Sequence, residues 1–100
     1  MSSEQDETLS GELLASLMTQ SPEYRAGFTS VVRELEYAQA RGFDPTERQL
    51  VLAVTHSARI YTSARSGKPI SGRSPDWLRG RVDGLRTMLR RKIEARPQAE

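Results

Sequence analysis

Lysines and arginines crowd the last part of this sequence, and they are the residues best suited to bind a charged partner. Arg79, Arg86 and Arg90 are seven and four residues apart, so a helix would place them along one edge of its apolar stripe. Such a row can complement the dipole at the C-terminal end of its own helix, bind an acidic protein, or contact nucleic-acid phosphates and release their counterions. The residues predicted to contact an anion or nucleic acid are Arg65, Lys68, Arg73, Arg79, Arg86, Arg90 and Lys92.

Three of these cations belong to a loop, rich in serine and glycine, that precedes the last predicted helix. The N-terminus of a helix can bind an anion through its free N–H groups and its dipole. A nucleotide-binding P-loop is excluded, because it needs a preceding strand and the order Gly-Lys-Ser/Thr at the helix start, whereas Gly67-Lys68 is followed by Pro69. The loop is therefore interpreted either as an ordinary turn or as a contact for a phosphate or carboxylate.

A second set of candidates, Leu52, Arg59 and Arg81, points to a protein partner. Leu52 falls outside the apolar face of its predicted helix, beside Arg59. It is either an ordinary exposed apolar residue or a contact point for a second subunit or partner. Arg81 falls among apolar residues, so it could extend outward to solvent, pair with an acid of another helix, or belong to an interface.

Residues suited to catalysis or metal binding are scarce. The sequence has no cysteine and a single histidine, His56, which excludes a cysteine–histidine pair. No Gly-x-Ser-x-Gly motif supports a serine nucleophile, and neither a His-Glu-x-x-His motif nor an EF-hand loop occurs. We therefore predict no enzymatic activity, no metal site and no cofactor. His56 is interpreted as a histidine at the edge of an apolar face, ahead of roles in proton transfer or metal ligation.

Three similar signals in the sequence mark where helices begin. Ser21-Pro22, Asp44-Pro45 and Ser74-Pro75 each combine a residue that caps a helix with a proline suited to its first position. Apolar residues at helical spacing follow each signal, and Gly42 and Gly67 provide stops for the first two helices.

The predicted fold is all-α, a small helical bundle. Its three long antiparallel helices are expected at about residues 22–41, 45–66 and 75–95, since short connections favour antiparallel neighbours. A shorter run of leucines at helical spacing predicts an additional N-terminal helix at about residues 9–19.

The helix at about residues 45–66 is predicted to be the central one. Its apolar residues fill an arc of about 180°, wider than the stripe of an ordinary surface helix, which implies neighbours on two sides. Asp44 is its predicted N-cap, and Glu47 stands where the acid of a capping box would reach back.

Glycines inside two predicted helices indicate a place where helices cross closely. Gly80 and Gly84 lie four residues apart on one face of the last helix, although each costs up to about 1 kcal/mol relative to alanine in a helix interior. Gly27 lies at the edge of the apolar face of its own helix. The missing side chains at these positions predict a close approach between helices.

Composition limits the molecule to one domain. The 100 residues are predicted to form a disordered acidic tail at residues 1–8, a single helical domain at residues 9–96 and a C-terminal tail at residues 97–100. No apolar run approaches the roughly 18 residues of a membrane span, and the acidic N-terminus lacks the features of a signal peptide. We therefore expect a cytoplasmic protein without membrane contact.

Charge is divided unevenly along the chain, although the net charge is only +2. Residues 1–50 carry nine acidic and four basic residues, a net charge of −5, whereas residues 51–100 carry eleven basic and four acidic residues, a net charge of +7. This asymmetry favours an anionic partner, or complementarity between the two halves that includes head-to-tail self-association.

A short stretch of one helix resembles a known family. Tyr24–Phe28, followed by Arg33-Glu34-Leu35, is similar to the first helix of the Orange domain of Hairy-type transcriptional repressors. The resemblance does not extend to a basic helix-loop-helix or to the C-terminal half, so no function is carried over from it.

The predicted function is that of a small non-enzymatic helical protein that binds another protein, as an adaptor, inhibitor or regulator. A second copy of the chain is one candidate partner, which would make the protein a homodimer. The alternative is a nucleic-acid-binding accessory or regulatory protein that uses the basic C-terminal helix.

Overall fold

The computed structural model describes residues 11–68 and 71–96, and within these residues the regular structure is entirely helical. The helices are α1 (Gly11–Met18), α2 (Pro22–Ala40), α3 (Glu47–Arg65) and α4 (Pro75–Glu94). The prediction of an all-α bundle, with three long helices and a short N-terminal one, is thus confirmed. The predicted tails at residues 1–8 and 97–100 lie outside the described residues, as do the first two residues of the predicted helix at residues 9–19.

The starts of α2 and α4 follow the predicted serine–proline signal. Ser21 Oγ accepts a hydrogen bond from the Tyr24 N–H at 3.1 Å, and Ser74 Oγ accepts one from the Trp77 N–H at 3.2 Å. In both helices a proline occupies the first turn, where no N–H donor is needed. The serine caps and the prolines together fix where these two helices begin.

The predicted start of α3 is wrong by two residues. Its N-cap is Thr46 and not Asp44, because Thr46 Oγ1 accepts a hydrogen bond from the Gln49 N–H at 3.1 Å. Gln49 Oε1 accepts one in return from the Thr46 N–H at 2.8 Å, so Gln49 and not Glu47 completes the capping box. The carboxylates of Asp44 and Glu47 bind cations near the end of α4 instead.

Both α2 and α3 end at a glycine in the left-handed region of backbone space. Gly42 has a φ of 82° and Gly67 a φ of 85°, values that residues with a side chain rarely adopt. The Phe43 N–H then donates to the Ala38 carbonyl at 2.9 Å, and the equivalent bond closes the last turn of α3. These are Schellman ends, and they confirm the two predicted stops.

The central helix is α4, and the prediction that the helix at about residues 45–66 would be central is wrong. α4 packs along both α2 and α3, whereas Leu50 is the only buried apolar residue of α3. Three of the eight residues in the wide apolar arc predicted for α3 are alanines, whose small side chains extend the arc without needing a second neighbour to cover them. Val51, inside that arc, is 47% exposed. The buried apolar side chains of α4 are Leu78, Val82, Leu85 and Met88.

α2 and α4 cross at the glycines that predicted a close approach. A Cβ atom built on Gly27 would overlap the backbone carbonyl of Trp77, and one built on Gly80 would overlap the backbone carbonyl of Tyr24. Each helix therefore offers a glycine to the backbone of the other, and the two backbones approach more closely than intervening side chains would allow.

The three long helices enclose one core. Ser21, at the start of α2, donates a hydrogen bond to Asp76, at the start of α4, at 3.0 Å, so these two helices run in the same direction. α3 packs on α4 and runs in the opposite direction, with its start beside the end of α4. α1 joins the core through Leu17, its one buried residue. The buried members of the core are Leu17, Tyr24, Phe28, Val31, Val32, Leu50, Leu85 and Met88.

Candidate functional site

The cations predicted to form binding surfaces divide into those that the protein engages itself and those that face solvent. Arg81 belongs to the first group. Its Nη1 donates to Ser30 Oγ and to Glu34 Oε2, both at 3.1 Å, and its Nη2 donates to Glu34 Oε1 at 2.9 Å. Such a bidentate pair fixes the geometry of both side chains. Of the three roles that the sequence left open for Arg81, the structure favours pairing with an acid of another helix, since Glu34 lies on α2.

Lys92 and Arg96 are also engaged, at the far end of α4. Lys92 Nζ lies 2.6 Å from Asp44 Oδ2, and Arg96 pairs with Glu47. The hydrogen bond from Lys92 holds the pKa of Asp44 below its ordinary value, and the hydrogen bond from Arg96 has the same effect on the pKa of Glu47. Lys92, a predicted anion contact, thus already has a carboxylate partner within the chain.

We expect the stability that these two ion pairs provide to be lost in acid. Each carboxylate has a lower pKa in the folded protein than its ordinary value, 3.8 for Asp44 and 4.5 for Glu47. The stabilisation is therefore fully present above about pH 5 and declines as the pH falls through the lowered values. A Lys92→Met/Arg96→Met variant should melt slightly below the wild type at neutral pH, and the two melting temperatures should converge as the pH falls through the lowered pKa values of the two carboxylates.

The matched control for this experiment is Arg90→Met. Arg90 lies on the same helix and makes no ion pair with another described residue. The difference between its melting temperature and that of the wild type should not vary over the same pH range. If the deficit of the double variant persisted in acid, the two side chains would not stabilise the protein through these ion pairs.

Arg79 is held at the junction of α1, α2 and α4. Its guanidinium carbon lies 4.4 Å from the centroid of the Tyr24 ring, and its Nη2 donates to Gln20 Oε1 at 3.3 Å. Tyr24 is buried, and its hydroxyl donates to Asp83 Oδ2 at 2.5 Å. Burial raises the pKa of Tyr24, and the hydrogen bond to Asp83 raises it further. Arg79 thus belongs to a structural cluster, apart from the other two arginines of the predicted row.

The three cations of the loop have different surroundings. The guanidinium of Arg65, at the end of α3, lies 5.8 Å from the centroid of the Tyr61 ring. The guanidinium of Arg73 covers the Trp77 ring at 4.4 Å from its centroid. Lys68 is exposed, and its backbone closes the last turn of α3.

Arg59, Arg86 and Arg90 make no ion pair or hydrogen bond with any other residue that the structure describes. Arg59 of α3 and Arg86 of α4 line the same open groove, which has a volume of about 560 Å³. Arg90 follows Arg86 by one helical turn, so the two lie on the same face of α4. The other residues of the groove are small or aliphatic: Val54, Thr55, Ala58, Thr62 and Ser63.

Two consecutive apolar residues of α3 are exposed one helical turn before the first residues that line this groove. Leu52 is 61% exposed and Val51 is 47% exposed. Leu52 precedes Arg59 by seven residues, or about two turns, so the two share a face of the helix. Leu52 thus lies outside the core, in agreement with its place outside the predicted apolar arc. We refer to Val51, Leu52 and Arg59 of α3, together with Arg86 and Arg90 of α4, as the α3–α4 surface.

A smaller cleft of about 320 Å³ opens between α3, the loop that precedes α4 and the first turns of α4. We call it the Trp77 cleft. Its polar and aromatic lining consists of His56, Ser57, Ser71, Arg73, Trp77 and Arg81, and its aliphatic lining of Ala53, Ile60 and Leu78. Among the described residues no carboxylate lines the cleft, so His56 has no acid there to orient it for proton transfer.

Two other features that often indicate function do not occur in the part of the chain that the structure describes. No three residues among its His, Asp and Glu side chains are grouped so that they could hold a metal ion. No helix within residues 11–68 and 71–96 combines the length and the apolar character that crossing a bilayer requires.

Sequence reasoning did not identify Ser57, Trp77 or Asp83 as parts of a site. Ser57 follows Leu50 by seven residues, so it occupies a core-facing position of α3, and a polar residue at such a position was the available signal. Asp83 lies between buried residues of α4. Its hydrogen-bond partner, the Tyr24 hydroxyl, belongs to α2, which is distant along the sequence. The Trp77 cleft draws on two helices and a loop, so no local spacing could have indicated it.

Comparison of the sequence with protein-family models, with curated proteins and with solved structures found no match. The short resemblance of α2 to the first helix of an Orange domain is thus not accompanied by a family match.

Proposed function

We propose that this protein is not an enzyme and that it binds another protein through the α3–α4 surface. The observation that carries this proposal is the exposure of Leu52 and Val51 next to each other on α3. Single exposed apolar residues are common on protein surfaces, whereas here two consecutive ones extend along the helix from a groove that two unpaired arginines line. The surface therefore offers a partner an apolar centre.

The charge of the surface indicates what kind of partner fits it. Arg59, Arg86 and Arg90 have no acidic partner among the described residues, whereas Arg81, Lys92 and Arg96 are paired within the chain. Positive charge is thus left uncompensated where the apolar residues are exposed. Complementary potentials set partner choice and association rate, so the partner is expected to be acidic.

The proposed partner is an acidic segment of a protein that presents apolar side chains on one helical face. Such a segment could lay its apolar side chains against Leu52 and Val51, while its carboxylates meet Arg59 and Arg86. Arginine is among the residues that contribute most to binding when an interface buries it. Arg81, which the sequence offered as a partner contact, is committed to Glu34 and is left out of the proposed surface.

Peptide-display selection on the full chain tests this proposal. Random peptides selected on the wild type should be enriched in Asp and Glu, with leucine or similar residues at i, i+3 or i+4 spacing. Enriched peptides should bind Leu52→Ser and Arg59→Ser variants about tenfold more weakly in fluorescence anisotropy. The controls are Met18→Ser, an exposed apolar residue of α1, and Arg33→Ser, an exposed cation of α2.

Two outcomes would contradict the proposed partner. If the enriched peptides bound all four variants equally, the α3–α4 surface would not be their site. If light scattering gave the mass of a dimer for the wild type and of a monomer for Leu52→Ser, the surface would bind a second copy of the chain and not an acidic segment.

The alternative function is nucleic-acid binding through α4. Arg79 lies against Tyr24 and Lys92 pairs with Asp44, so two of the four cations predicted for this role on α4 already have contacts within the chain. This favours a protein partner. Anisotropy with a labelled duplex between about 50 and 200 mM salt tests the alternative, because phosphate contacts would make affinity fall steeply over that range. Nucleic acid would be favoured if the wild type bound the duplex with an affinity that falls steeply with salt, and if an Arg86→Ser/Arg90→Ser variant lost this binding.

A further inference from the structure

We propose that the Trp77 cleft is a separate binding site for a small organic anion, in which a carboxylate or phosphate group is carried on a flat apolar body. This inference is independent of the α3–α4 surface. It stands on an unpartnered buried hydroxyl, on the cations of the cleft and on the size and lining of the cleft.

Ser57 is the first observation. It is only 7% exposed and is the one buried polar residue among those that the structure describes. Its hydroxyl makes no hydrogen bond to another described residue. No side-chain polar atom in the described chain is both sealed from solvent and unpartnered, so the hydroxyl retains an opening, and Ser57 lines the cleft. Because the hydroxyl keeps this opening, it can donate a hydrogen bond to an acceptor atom of a ligand in the cleft.

The cations of the cleft indicate that the acceptor is an anion. Arg73 and Arg81 both line it, and the described lining contains no carboxylate. Arg81 is already held by Glu34 on its α2 side, which leaves Arg73 as the guanidinium available to an incoming group. Guanidinium binds carboxylate and phosphate through two parallel hydrogen bonds, and hydroxyls such as that of Ser57 can bind their remaining oxygens.

Trp77 indicates the rest of the ligand. The guanidinium of Arg73 lies 4.4 Å from its ring centroid and that of Arg81 lies 5.9 Å from it, so the indole helps to hold both cations in place. Ile60 and Leu78 add aliphatic surface to the same cleft. A flat apolar body could pack there while its charged group meets Arg73.

The size of the cleft limits the ligand to a small molecule. Its volume of about 320 Å³ lies near the lower end of the roughly 300 to 1,000 Å³ that ligand sites occupy. We therefore expect a ligand on the scale of one ring with one anionic substituent.

Trp77 is the single tryptophan of the chain, so its fluorescence reports directly on the cleft. The full chain would be titrated with phenyl phosphate, benzoate and neutral benzyl alcohol. We expect at least one of the two anions to change Trp77 emission in a saturable manner, and benzyl alcohol to do so at least about tenfold more weakly. The two anions distinguish phosphate from carboxylate. The proposal is overturned if neither anion gives a saturable change, or if benzyl alcohol binds as well as they do.

Variants then show whether the anion occupies the cleft. Because Arg73→Gln would itself alter Trp77 emission, affinity is measured by isothermal titration calorimetry. Arg73→Gln should weaken binding of the preferred anion about tenfold, and Ser57→Ala several-fold. Arg65→Gln, a loop-proximal arginine that does not line the cleft, should leave affinity unchanged.

Ser57→Ala provides the sharpest test, because a site and a purely structural serine predict different results. Removing an unpartnered hydroxyl should leave the melting temperature unchanged or raise it by a few degrees, while affinity for the anion falls. The proposal requires both Arg73→Gln and Ser57→Ala to weaken binding without lowering the melting temperature of the Ser57 variant. Unchanged affinity in either variant, or a lower melting temperature for Ser57→Ala, overturns it.

Discussion

Replacing Gly80 with alanine is expected to lower the free energy of unfolding by about 3 kcal/mol, or by more, and Gly27→Ala should have a similar effect. The new Cβ would overlap the backbone carbonyl of Tyr24 in the first case and that of Trp77 in the second. A backbone carbonyl within a helix cannot turn aside as a flexible side chain can, so α2 and α4 would have to move apart. Alanine's higher helix propensity, worth up to about 1 kcal/mol, offsets only part of this loss. Denaturant unfolding followed by circular dichroism measures the effect.

Two other glycines provide a graded control for this prediction. A Cβ on Gly84 would lie 3.1 Å from the Phe28 carbonyl oxygen, so Gly84→Ala should destabilise the protein less than Gly80→Ala. A Cβ on Gly11, in α1, would meet no atom of the described residues within 4 Å, so Gly11→Ala should be neutral or slightly stabilising. If Gly80→Ala were as stable as Gly11→Ala, the close crossing of α2 and α4 would be contradicted.

The sequence predicted this crossing because glycine inside a helix is unfavourable unless something requires the missing side chain. The helix starts at Ser21 and Ser74 and the stops at Gly42 and Gly67 were predictable for a related reason. Caps and Schellman ends are satisfied by residues within a few positions of one another, so local sequence carries all the information that they need. The number and approximate bounds of the long helices followed from these signals.

The start of α3 shows where local information ends. Asp44 and Thr46 are both good caps, but in the structure Thr46 and Gln49 form the capping box. The Asp44 carboxylate instead pairs with Lys92, from the other end of the sequence. A pairing over this sequence separation is set by the packing of α3 against α4, which periodicity does not reveal.

The candidate sites were predictable only as far as local helical geometry determines them, because contacts between distant parts of the chain cannot be deduced from spacing. The position of Leu52 outside the apolar arc follows from helical geometry, so its exposure could be predicted from the sequence. The row of arginines on α4 could be found, but its division into engaged and unpaired members could not. Arg79 is engaged because it contacts Tyr24 and Gln20, which belong to other parts of the chain.

The second large effect is the difference between a core leucine and an exposed one, and it compares one substitution at two places. Leu85→Ala, in α4, is expected to lower the free energy of unfolding by about 2 to 5 kcal/mol, because it leaves a cavity in the core. Leu52→Ala, in α3, should change it by less than about 0.5 kcal/mol, because that side chain is 61% exposed. Both variants delete the same atoms from a leucine within a helix, so differences in helix propensity do not enter, and denaturant unfolding compares them directly.

A domain of this size is expected to unfold with only about 5 to 15 kcal/mol in all, so Leu85→Ala should shift the unfolding midpoint visibly while Leu52→Ala leaves it in place. If Leu52→Ala cost as much as Leu85→Ala, Leu52 would be packed against other residues, and the α3–α4 surface would not be free. If it costs nothing, the fold does not need a leucine there. Loss of peptide binding in Leu52→Ser could then be assigned to the interface, because the same residue would contribute to binding without contributing to stability.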